Sequence, residues 1–277
     1  MKLYEARQLL NTHMQQLNEG IYDPHIFKAV FMAGSGGAGK GFAGEVLFGK
    51  MPELATTGLG LKVVNADDLL TAAAGQLPIQ KRMNASGLGG LKPFQLKGGW
   101  WDARHPRTGM PLWMWGQQTV AKRKAGWIEG RLGIILDATA RKPERLYPQK
   151  MALYELGYDT MMVLVRTSLE VALARAHARE REVADWVIRD AHERVERSIP
   201  MYKKMFGRNF AVIDNNEYVE DARTLWPEAK QVIDAFLQRP TRNEPACIWL
   251  LAQLAARKIE PAAYIKGAPV HMRSIFS

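Results

Sequence analysis

The stretch from Ala29 to Gly49 limits the possible folds of this chain more than any other. It begins with an apolar run, Ala29 to Ala33, that is typical of a buried strand, and continues into GSGGAGK, residues 34–40. A helical pattern follows the lysine. The pattern G-x-x-x-x-G-K between a strand and a helix is that of a phosphate-binding loop, or P-loop.

The chemistry of such a loop requires these residue types. Glycines let backbone N–H groups curve around phosphate oxygens, and the helix start adds the positive end of its dipole. Lys40 would place a point charge on the β- and γ-phosphates of a nucleotide. The alternative is a flexible glycine-rich loop with an incidental lysine. We expect nucleotide contacts from the whole segment, which comprises Gly34, Ser35, Gly36, Gly37, Ala38, Gly39, Lys40, Gly41 and Phe42.

The position after the lysine departs from the usual motif. Gly41 and Phe42 stand where a Ser or Thr hydroxyl would contact Mg²⁺. The metal would then be held through water and by a carboxylate elsewhere. Asp137 ends the apolar strand Leu132 to Leu136, which is the position from which a carboxylate reaches the Mg²⁺ shell. The alternative for Asp137 is a cap on the following turn.

Two further groups are candidates for catalysis. Asp67 follows the short strand Leu61 to Val64, where a carboxylate could accept the proton of an attacking hydroxyl; it could also be only a helix N-cap. Arg175 and Arg179 share a helix face and could close over the phosphates. The alternative for the arginines is a solvated face paired with neighbouring glutamates.

Positive charge and tryptophan are concentrated in one part of the chain. The net charge is +10, and residues 97–150 hold eleven basic and four acidic residues. Such clustering favours a polyanionic partner, nucleic acid above all and so DNA as the expected partner. The alternative is that some of the charge serves the phosphates of a kinase reaction and the remainder is solvated surface. Aromatic rings beside basic residues can stack an unpaired base, although tryptophan also fills cores. Candidate acceptor contacts in this stretch are Trp100, Trp101, Arg104, Trp113 and Trp115.

Strand and helix patterns alternate along the chain, which predicts an α/β fold: a three-layer sandwich around a five-stranded parallel sheet. We divide the chain into an N-terminal helix (1–24), a P-loop domain (25–239) and a helical C-terminal tail (240–277) that is also basic. Within the domain we expect a Trp-rich basic insertion at about 76–130 and a lid at about 175–185. Two long helices are predicted over Leu169 to Glu182 and Val219 to Leu237.

Composition excludes several classes. The single cysteine, Cys247, excludes a disulfide framework and a cysteine-based zinc site. No apolar run approaches the roughly 18 residues that a membrane span needs, and the amino terminus has the pattern of an amphipathic helix rather than a signal peptide. We therefore expect no membrane partner and a cytoplasmic location, the host cytoplasm if the chain is phage-encoded. The oligomeric state is left open.

Taken together, the loop at 34–40, the strand end at 63–67, the strand end at 134–139 and the arginines at 175–181 resemble the zeta-toxin-like P-loop kinases. The resemblance covers about residues 29–214. Within that group the chain is most similar to bacteriophage kinases, including those acting on 5-hydroxymethyluridine in DNA. The resemblance implies ATP as donor, Mg²⁺, Asp67 as base and a lid containing Arg175, Arg179 and Arg181. Gly41 departs from most of the group.

Three functions are consistent with these features. The first is a kinase of a nucleic-acid hydroxyl, in its sharpest form 5-hydroxymethyluracil in phage DNA during thymidine hypermodification. The second is a kinase of a small molecule such as a nucleoside, a nucleotide or a UDP-sugar. The third is a non-catalytic module that binds ATP or DNA.

Overall fold

The computed structural model describes residues 20–51, 54–65, 105, 108–137, 140–178, 184–217 and 224–276. Seven strands form one sheet in this part of the chain. They are β1 (Lys28–Ala33), β2 (Lys50–Met51), β3 (Thr56–Thr57), β4 (Lys62–Val64), β5 (Ile134–Asp137), β6 (Asp159–Arg166) and β7 (Phe210–Asp214).

The P-loop strand lies inside this sheet. The strand order is β2-β3-β4-β5-β1-β6-β7, and every pairing from β4 to β7 is parallel. β2 and β3 add an antiparallel edge to β4. The predicted five-stranded parallel sheet is therefore too small, because the sheet is mixed and has seven strands. The two extra strands have two residues each, which is too short to leave a periodic sequence pattern.

Eight α-helices surround the sheet in the described chain. They are α1 (Lys40–Phe48), α2 (Leu112–Glu129), α3 (Pro143–Glu155), α4 (Leu169–His177), α5 (Asp185–Phe206), α6 (Pro227–Gln238), α7 (Glu244–Ala256) and α8 (Pro261–Gly267). Three short 3₁₀ turns complete the regular structure.

Two helix boundaries differ from the sequence prediction. α6 begins at Pro227 rather than at Val219, because Trp226 has a left-handed backbone with φ of 55° and the proline starts a new helix. The helix predicted to run to Glu182 ends at His177, and residues 179–183 lie outside the described chain. The predicted N-terminal helix lies outside it as well, and α8 was not predicted.

Alternate residues of β1 face two different cores. Val30 and Met32 pack with α1 and α6, whereas Ala29 and Phe31 pack with α3 and α5. Since side chains of a strand alternate between the two faces of a sheet, each face needs its own helical cover. The described chain is thus layered as helix, sheet and helix, with the P-loop at the carboxyl end of its central strand.

A third core joins the carboxyl-terminal part of the chain to residues 20–27. Leu250 and Tyr264 are buried there beside Ile21 and Phe27. The Tyr264 hydroxyl donates to the carbonyl of Ile21 at 2.9 Å. The C-terminal helices therefore pack as part of the folded body. No helix in the described ranges combines the length and the apolar character that crossing a bilayer requires.

Two histidines near this core give an expected pH dependence of stability. Burial, with a smaller contribution from the positive charge of Lys28, lowers the pKa of His25 and of His271 to about 4. In the unfolded chain both titrate near pH 6.5, so the unfolded state binds more protons as the pH falls from about 6.5 towards about 4. We expect the free energy of unfolding to fall by about 1 kcal/mol per pH unit for each histidine in that window.

Urea unfolding between pH 7 and pH 4.5 tests this expectation. Burial raises the pKa of Asp23, so this carboxyl group makes the free energy of unfolding fall as the pH rises, opposite to the histidines. Comparing histidine variants with the wild type separates the two contributions. His271→Gln keeps a donor for the Ile26 carbonyl that His271 Nε2 contacts at 2.9 Å. In this variant the slope of the free energy of unfolding against pH should be lower by about 1 kcal/mol per pH unit. An unchanged slope would mean that His271 is protonated in the folded state as it is in the unfolded state.

Candidate active site

The loop between β1 and α1 has the shape that a phosphate-binding loop needs. Gly37 and Gly39 have φ of 81° and 86°, which is the left-handed region. A Cβ on Gly37 would lie 2.1 Å from the carbonyl oxygen of Ala172, and one on Gly39 would lie 2.2 Å from Asn215 Nδ2. Both the backbone angle and the lack of room for a Cβ therefore require glycine at these two positions. With glycine there, the loop packs closely against Ala172 and Asn215.

Lys40 lies over this loop. Its Nζ atom donates to the carbonyl oxygens of Gly34 at 2.9 Å and Ser35 at 3.3 Å. Lys40 is also the first residue of α1, where N–H groups point out of the helix end. A cationic side chain, a helix N-terminus and a tight glycine loop thus converge at one place.

Asp137 ends β5, the strand next to β1, and pairs in register with Met32. Its Oδ2 atom accepts a hydrogen bond from Asn65 Nδ2 at 2.9 Å, and Lys50 Nζ lies 3.9 Å from the same oxygen. The Lys50 side chain is 5% exposed and that of Asp137 is 13% exposed. Asn65 and Lys50 thus orient this carboxylate, and the sequence assigned neither of them a role.

The side chains beside the P-loop fit a Mg²⁺ ion that is held by one carboxylate, that of Asp137. Mg²⁺ in phosphotransfer sites is held by one or two carboxylates together with phosphate oxygens and water. Asp137 supplies a hard oxygen donor, and Gly41 supplies none. Within the described ranges no cluster of three or more His, Cys, Asp or Glu side chains could hold a metal by itself.

Gly41 offers a direct test of the missing hydroxyl. A Cβ built on Gly41 meets nothing within 4 Å, so a side chain fits there. If Mg²⁺ binds beside Asp137, we expect Gly41→Ser to lower the Mg²⁺ concentration at half-maximal nucleotide binding by about tenfold. Gly41→Ala fills the same space without an oxygen and is the control. Equal effects of serine and alanine would contradict a metal at this position.

Arg175 is placed beside the P-loop. Its Nη1 atom donates to the carbonyl of Asn215 at 2.6 Å, and it lies 3.8 Å from the position that a Cβ on Gly39 would take. Asn215 Nδ2 in turn donates to the carbonyl of Ala38 at 2.8 Å. The end of β7 thus ties the arginine of α4 to the loop. Arg179 and Arg181, the other predicted arginines, lie outside the described residues.

Two aromatic rings flank the start of α1. Phe42 is 41% exposed, and its ring centroid lies 6.0 Å from that of Trp226 at an angle of 77°. Trp226 Nε1 donates to the carbonyl of Asp214 at 2.5 Å, which fixes the indole beside the last strand. The sequence analysis placed Trp226 inside a helix and missed this contact, since only the tertiary fold brings residue 226 to residue 42.

Most of the other predicted site residues lie outside the described chain, and Trp115 lies within it. Asp67, Trp100, Trp101 and Arg104 lie outside the described residues, as does the side chain of Trp113. Trp115 stacks on His105, with ring centroids 4.2 Å apart and planes 16° apart. Trp127, a further tryptophan of the same basic stretch, is partly buried and packs against the core of the α3–α5 face.

A cavity of about 410 Å³ opens beside Asp137, on the sheet face that carries α3 and α5. Its described lining includes five apolar side chains and four cationic ones. It is lined by Phe31, Val64, Lys124, Leu136, Asp137, Ala140, Arg141, Lys142, Arg145, Leu146 and Gln149. Because α1 covers the opposite face, the cavity is separate from the P-loop amides and meets the P-loop side of the site at Asp137.

Comparison with known proteins gives matches among solved structures alone. No protein-family model matches the chain, and no curated protein matches its sequence. A structure from the PezAT toxin–antitoxin system of Streptococcus pneumoniae matches with 10% identity and a TM-score of 0.44, covering 93% of this chain and 97% of that one. The AvrRxo1-ORF1:ORF2 complex with ATP matches with 12% identity and a TM-score of 0.46, covering 98% and 84%.

A third structure, a protein from Chloroflexus aurantiacus provisionally described as a kinase, matches with 14% identity and a TM-score of 0.39. It covers 77% of this chain and 100% of that chain. The first of these structures belongs to a toxin–antitoxin system, the second holds ATP, and the third is described provisionally as a kinase. At such scores the similarity carries no further conclusion, and the function is argued from the site itself.

Proposed function

We propose that this protein is an ATP-dependent phosphotransferase that moves the γ-phosphate to a hydroxyl group. The observation that carries the proposal is the glycine-constrained loop under Lys40, one strand away from Asp137. Loops of this kind cradle phosphates with backbone N–H groups. A neighbouring carboxylate at a strand end is what a nucleotide-bound Mg²⁺ needs.

The donor nucleotide would lie between α1 and the end of β7. Lys40 and the loop amides would bind its β- and γ-phosphates, and Arg175 would approach them from α4. The exposed faces of Phe42 and Trp226 would contact the base, because aromatic rings offer stacking area to a purine. Arg179 is proposed as a further lid residue because of its spacing from Arg175, and Arg181 because of the resemblance to the zeta-toxin-like kinases.

In the reaction, the acceptor oxygen attacks the γ-phosphorus while the bond from that phosphorus to the β,γ-bridging oxygen breaks and ADP leaves. The hydroxyl proton passes to a carboxylate, for which we propose Asp67. Asp137, oriented by Asn65, would hold Mg²⁺, which neutralises phosphate charge when bound. Lys40 and Arg175 stabilise the charge on the transferring group.

The acceptor proposed first is 5-hydroxymethyluracil in DNA. The +10 net charge and the ring stack of Trp115 on His105 support a nucleic-acid surface at α2. The second candidate is a small molecule, namely a nucleoside, a nucleotide or a UDP-sugar. The cavity beside Asp137 supports it, because a volume of about 410 Å³ suits a small ligand.

Asp67→Asn tests the proposed base. Asparagine keeps the shape of the side chain but cannot accept the proton, so we expect turnover to fall by about 10²–10⁴-fold with ATP affinity nearly unchanged. Single-turnover transfer and calorimetric titration measure the two quantities separately. Loss of ATP binding in this variant would exclude Asp67 as the base and assign it to the nucleotide site.

Transfer of radiolabelled γ-phosphate from ATP tests the function as a whole. The acceptors are duplex and single-stranded DNA containing thymidine or 5-hydroxymethyluridine, the free nucleosides and nucleotides, and UDP-N-acetylglucosamine. We expect label on one acceptor class. No label should be transferred when the protein is omitted. Label on modified DNA alone supports the first acceptor, and label on a small molecule alone supports the second. ATP binding without transfer to any acceptor would favour the non-catalytic alternative.

A further inference from the structure

The cavity beside Asp137 carries more positive charge than the P-loop chemistry requires. Lys124 reaches it from α2, whereas Arg141, Lys142 and Arg145 reach it from the start of α3. Among the described lining residues the only carboxylate is that of Asp137, so in this part of the chain four positive charges face one negative charge. The ammonium of Lys40 and the guanidinium of Arg175 are not among the lining residues.

Most of this charge is uncompensated in the part of the chain that the structure describes. Arg141 Nη1 lies 3.8 Å from Asp190 Oδ2 and so has an acidic partner. No carboxylate of the described residues lies within ion-pair distance of Lys124, Lys142 or Arg145. Three cations from two different helices therefore converge on one concave space.

Lys124 indicates that the space is more than a solvated surface. Burial lowers the pKa of its ammonium, which means that the charged side chain has given up part of its hydration. Holding a partly dehydrated cation without a counter-charge is unfavourable, and a bound anion would offset that cost. The apolar floor formed by Phe31, Val64 and Leu136 adds a surface for an uncharged ring.

We propose that this cavity is the acceptor site and that the acceptor carries a phosphate group. Lys124, Lys142 and Arg145 bind the phosphate oxygens, and the apolar part of the acceptor packs on Phe31 and Val64. The reacting hydroxyl then faces the edge where Asp137 meets the P-loop side of the site. This inference rests on the proposed function, since an acceptor presupposes phosphoryl transfer. The same chemistry describes a free nucleotide and a backbone phosphodiester of nucleic acid.

Calorimetric titration of the full chain tests the proposal, with the P-loop either empty or saturated with ADP and Mg²⁺. The probes are thymidine and uridine 5′-monophosphates, the parent nucleosides, and a thymidine hexanucleotide. We expect each monophosphate to bind at least about tenfold more tightly than its nucleoside, since charge-assisted hydrogen bonds to phosphate are strong. ADP should leave this difference in place.

The decisive variant is the pair Lys142→Ala and Arg145→Ala, both exposed residues whose loss leaves the fold intact. It should weaken binding of the phosphate-bearing probes by about tenfold or more and leave ADP affinity unchanged. The matched control is Lys203→Ala with Lys204→Ala, an exposed basic pair in the last turn of α5. This control should bind all probes as the wild type does.

Three results would overturn the proposal: equal affinity for nucleosides and monophosphates, unchanged affinity in the Lys142 and Arg145 pair, or no binding of any phosphate-bearing probe at millimolar concentration. If the hexanucleotide binds more tightly than the monophosphates in the wild type and loses that advantage in the Lys142→Ala and Arg145→Ala double variant, the bound phosphate is identified as part of a nucleic acid. The reverse order assigns it to a free nucleotide. Failure of ADP to bind would instead contradict the proposed function, while the ADP-free titrations still report on the cavity.

Discussion

Replacing Lys40 with alanine is expected to lower the rate of phosphoryl transfer by about 10²–10³-fold. The Lys40 ammonium lies over the P-loop and contacts the carbonyls of Gly34 and Ser35, so it is positioned to move onto phosphate oxygens when a nucleotide binds. A fixed positive charge at the transferring group stabilises the transition state more than the ground state. Single-turnover transfer from labelled ATP measures the loss.

The control for this variant is Lys266→Ala, which removes an exposed lysine of α8 far along the chain from the loop. It changes net charge by the same amount and should leave the transfer rate unchanged. Lys40→Arg keeps the charge but has a larger, planar head group that fits a point-charge position poorly, so only partial activity is expected. Full activity in Lys40→Ala would mean that the loop does not bind the donor phosphates.

Replacing Lys28 with alanine is expected to lower the free energy of unfolding by about 3 kcal/mol. The Lys28 side chain is fully buried, and its Nζ atom donates to Asp159 Oδ2 at 2.8 Å and to the carbonyl of Arg239 at 2.7 Å. It therefore joins β1 to β6 and to the end of α6. Without the ammonium, the Asp159 carboxylate loses its cation and keeps the Thr241 hydroxyl, which donates to the same oxygen at 3.1 Å, while the Arg239 carbonyl loses the Lys28 donor. Removing a charged hydrogen-bond donor from such groups is costly.

Urea unfolding followed by tryptophan fluorescence measures this change. Lys28→Met keeps most of the side-chain volume but removes the charge, and should be only slightly more stable than the alanine variant. Adding Asp159→Leu removes the carboxylate that has lost its ammonium partner. The free energy of unfolding of the double variant should therefore be higher than that of Lys28→Met. Lys266→Ala should change the free energy of unfolding by less than about 0.5 kcal/mol. A single Lys28→Ala variant as stable as that control would show that the pair contributes nothing.

The P-loop unit could be predicted from sequence because its signal is local. Strand, glycines, lysine and helix are consecutive, and the left-handed angles of Gly37 and Gly39 are what glycine uniquely permits. The strands that surround it were also identifiable, since buried parallel strands appear as short apolar runs. The two-residue strands β2 and β3 give no such run, which is why the sheet was predicted too small.

The parts of the site that the sequence analysis missed depend on contacts between distant residues. Lys50 reaches Asp137 across 87 positions of sequence, and nothing near Lys50 distinguishes it from a surface lysine. Trp226 meets Phe42 only because β7 lies near β1 in the sheet. Conversely, Trp127 belongs to the same basic, Trp-rich stretch as Trp115 but is partly buried against the core of the α3–α5 face. Composition alone does not distinguish a ring that is free to stack from one that packs.

The central claim is that residues 34–40 bind the phosphates of a nucleoside triphosphate. Calorimetric titration of ATP with Mg²⁺ and of adenosine into the wild type and Gly37→Val tests it most directly. Valine at 37 would collide with the Ala172 carbonyl, where even a Cβ lies at 2.1 Å. We expect ATP to bind at least about 100-fold more tightly than adenosine, and Gly37→Val to abolish that difference while adenosine binding persists. Equal affinities for ATP and adenosine in the wild type would contradict the account.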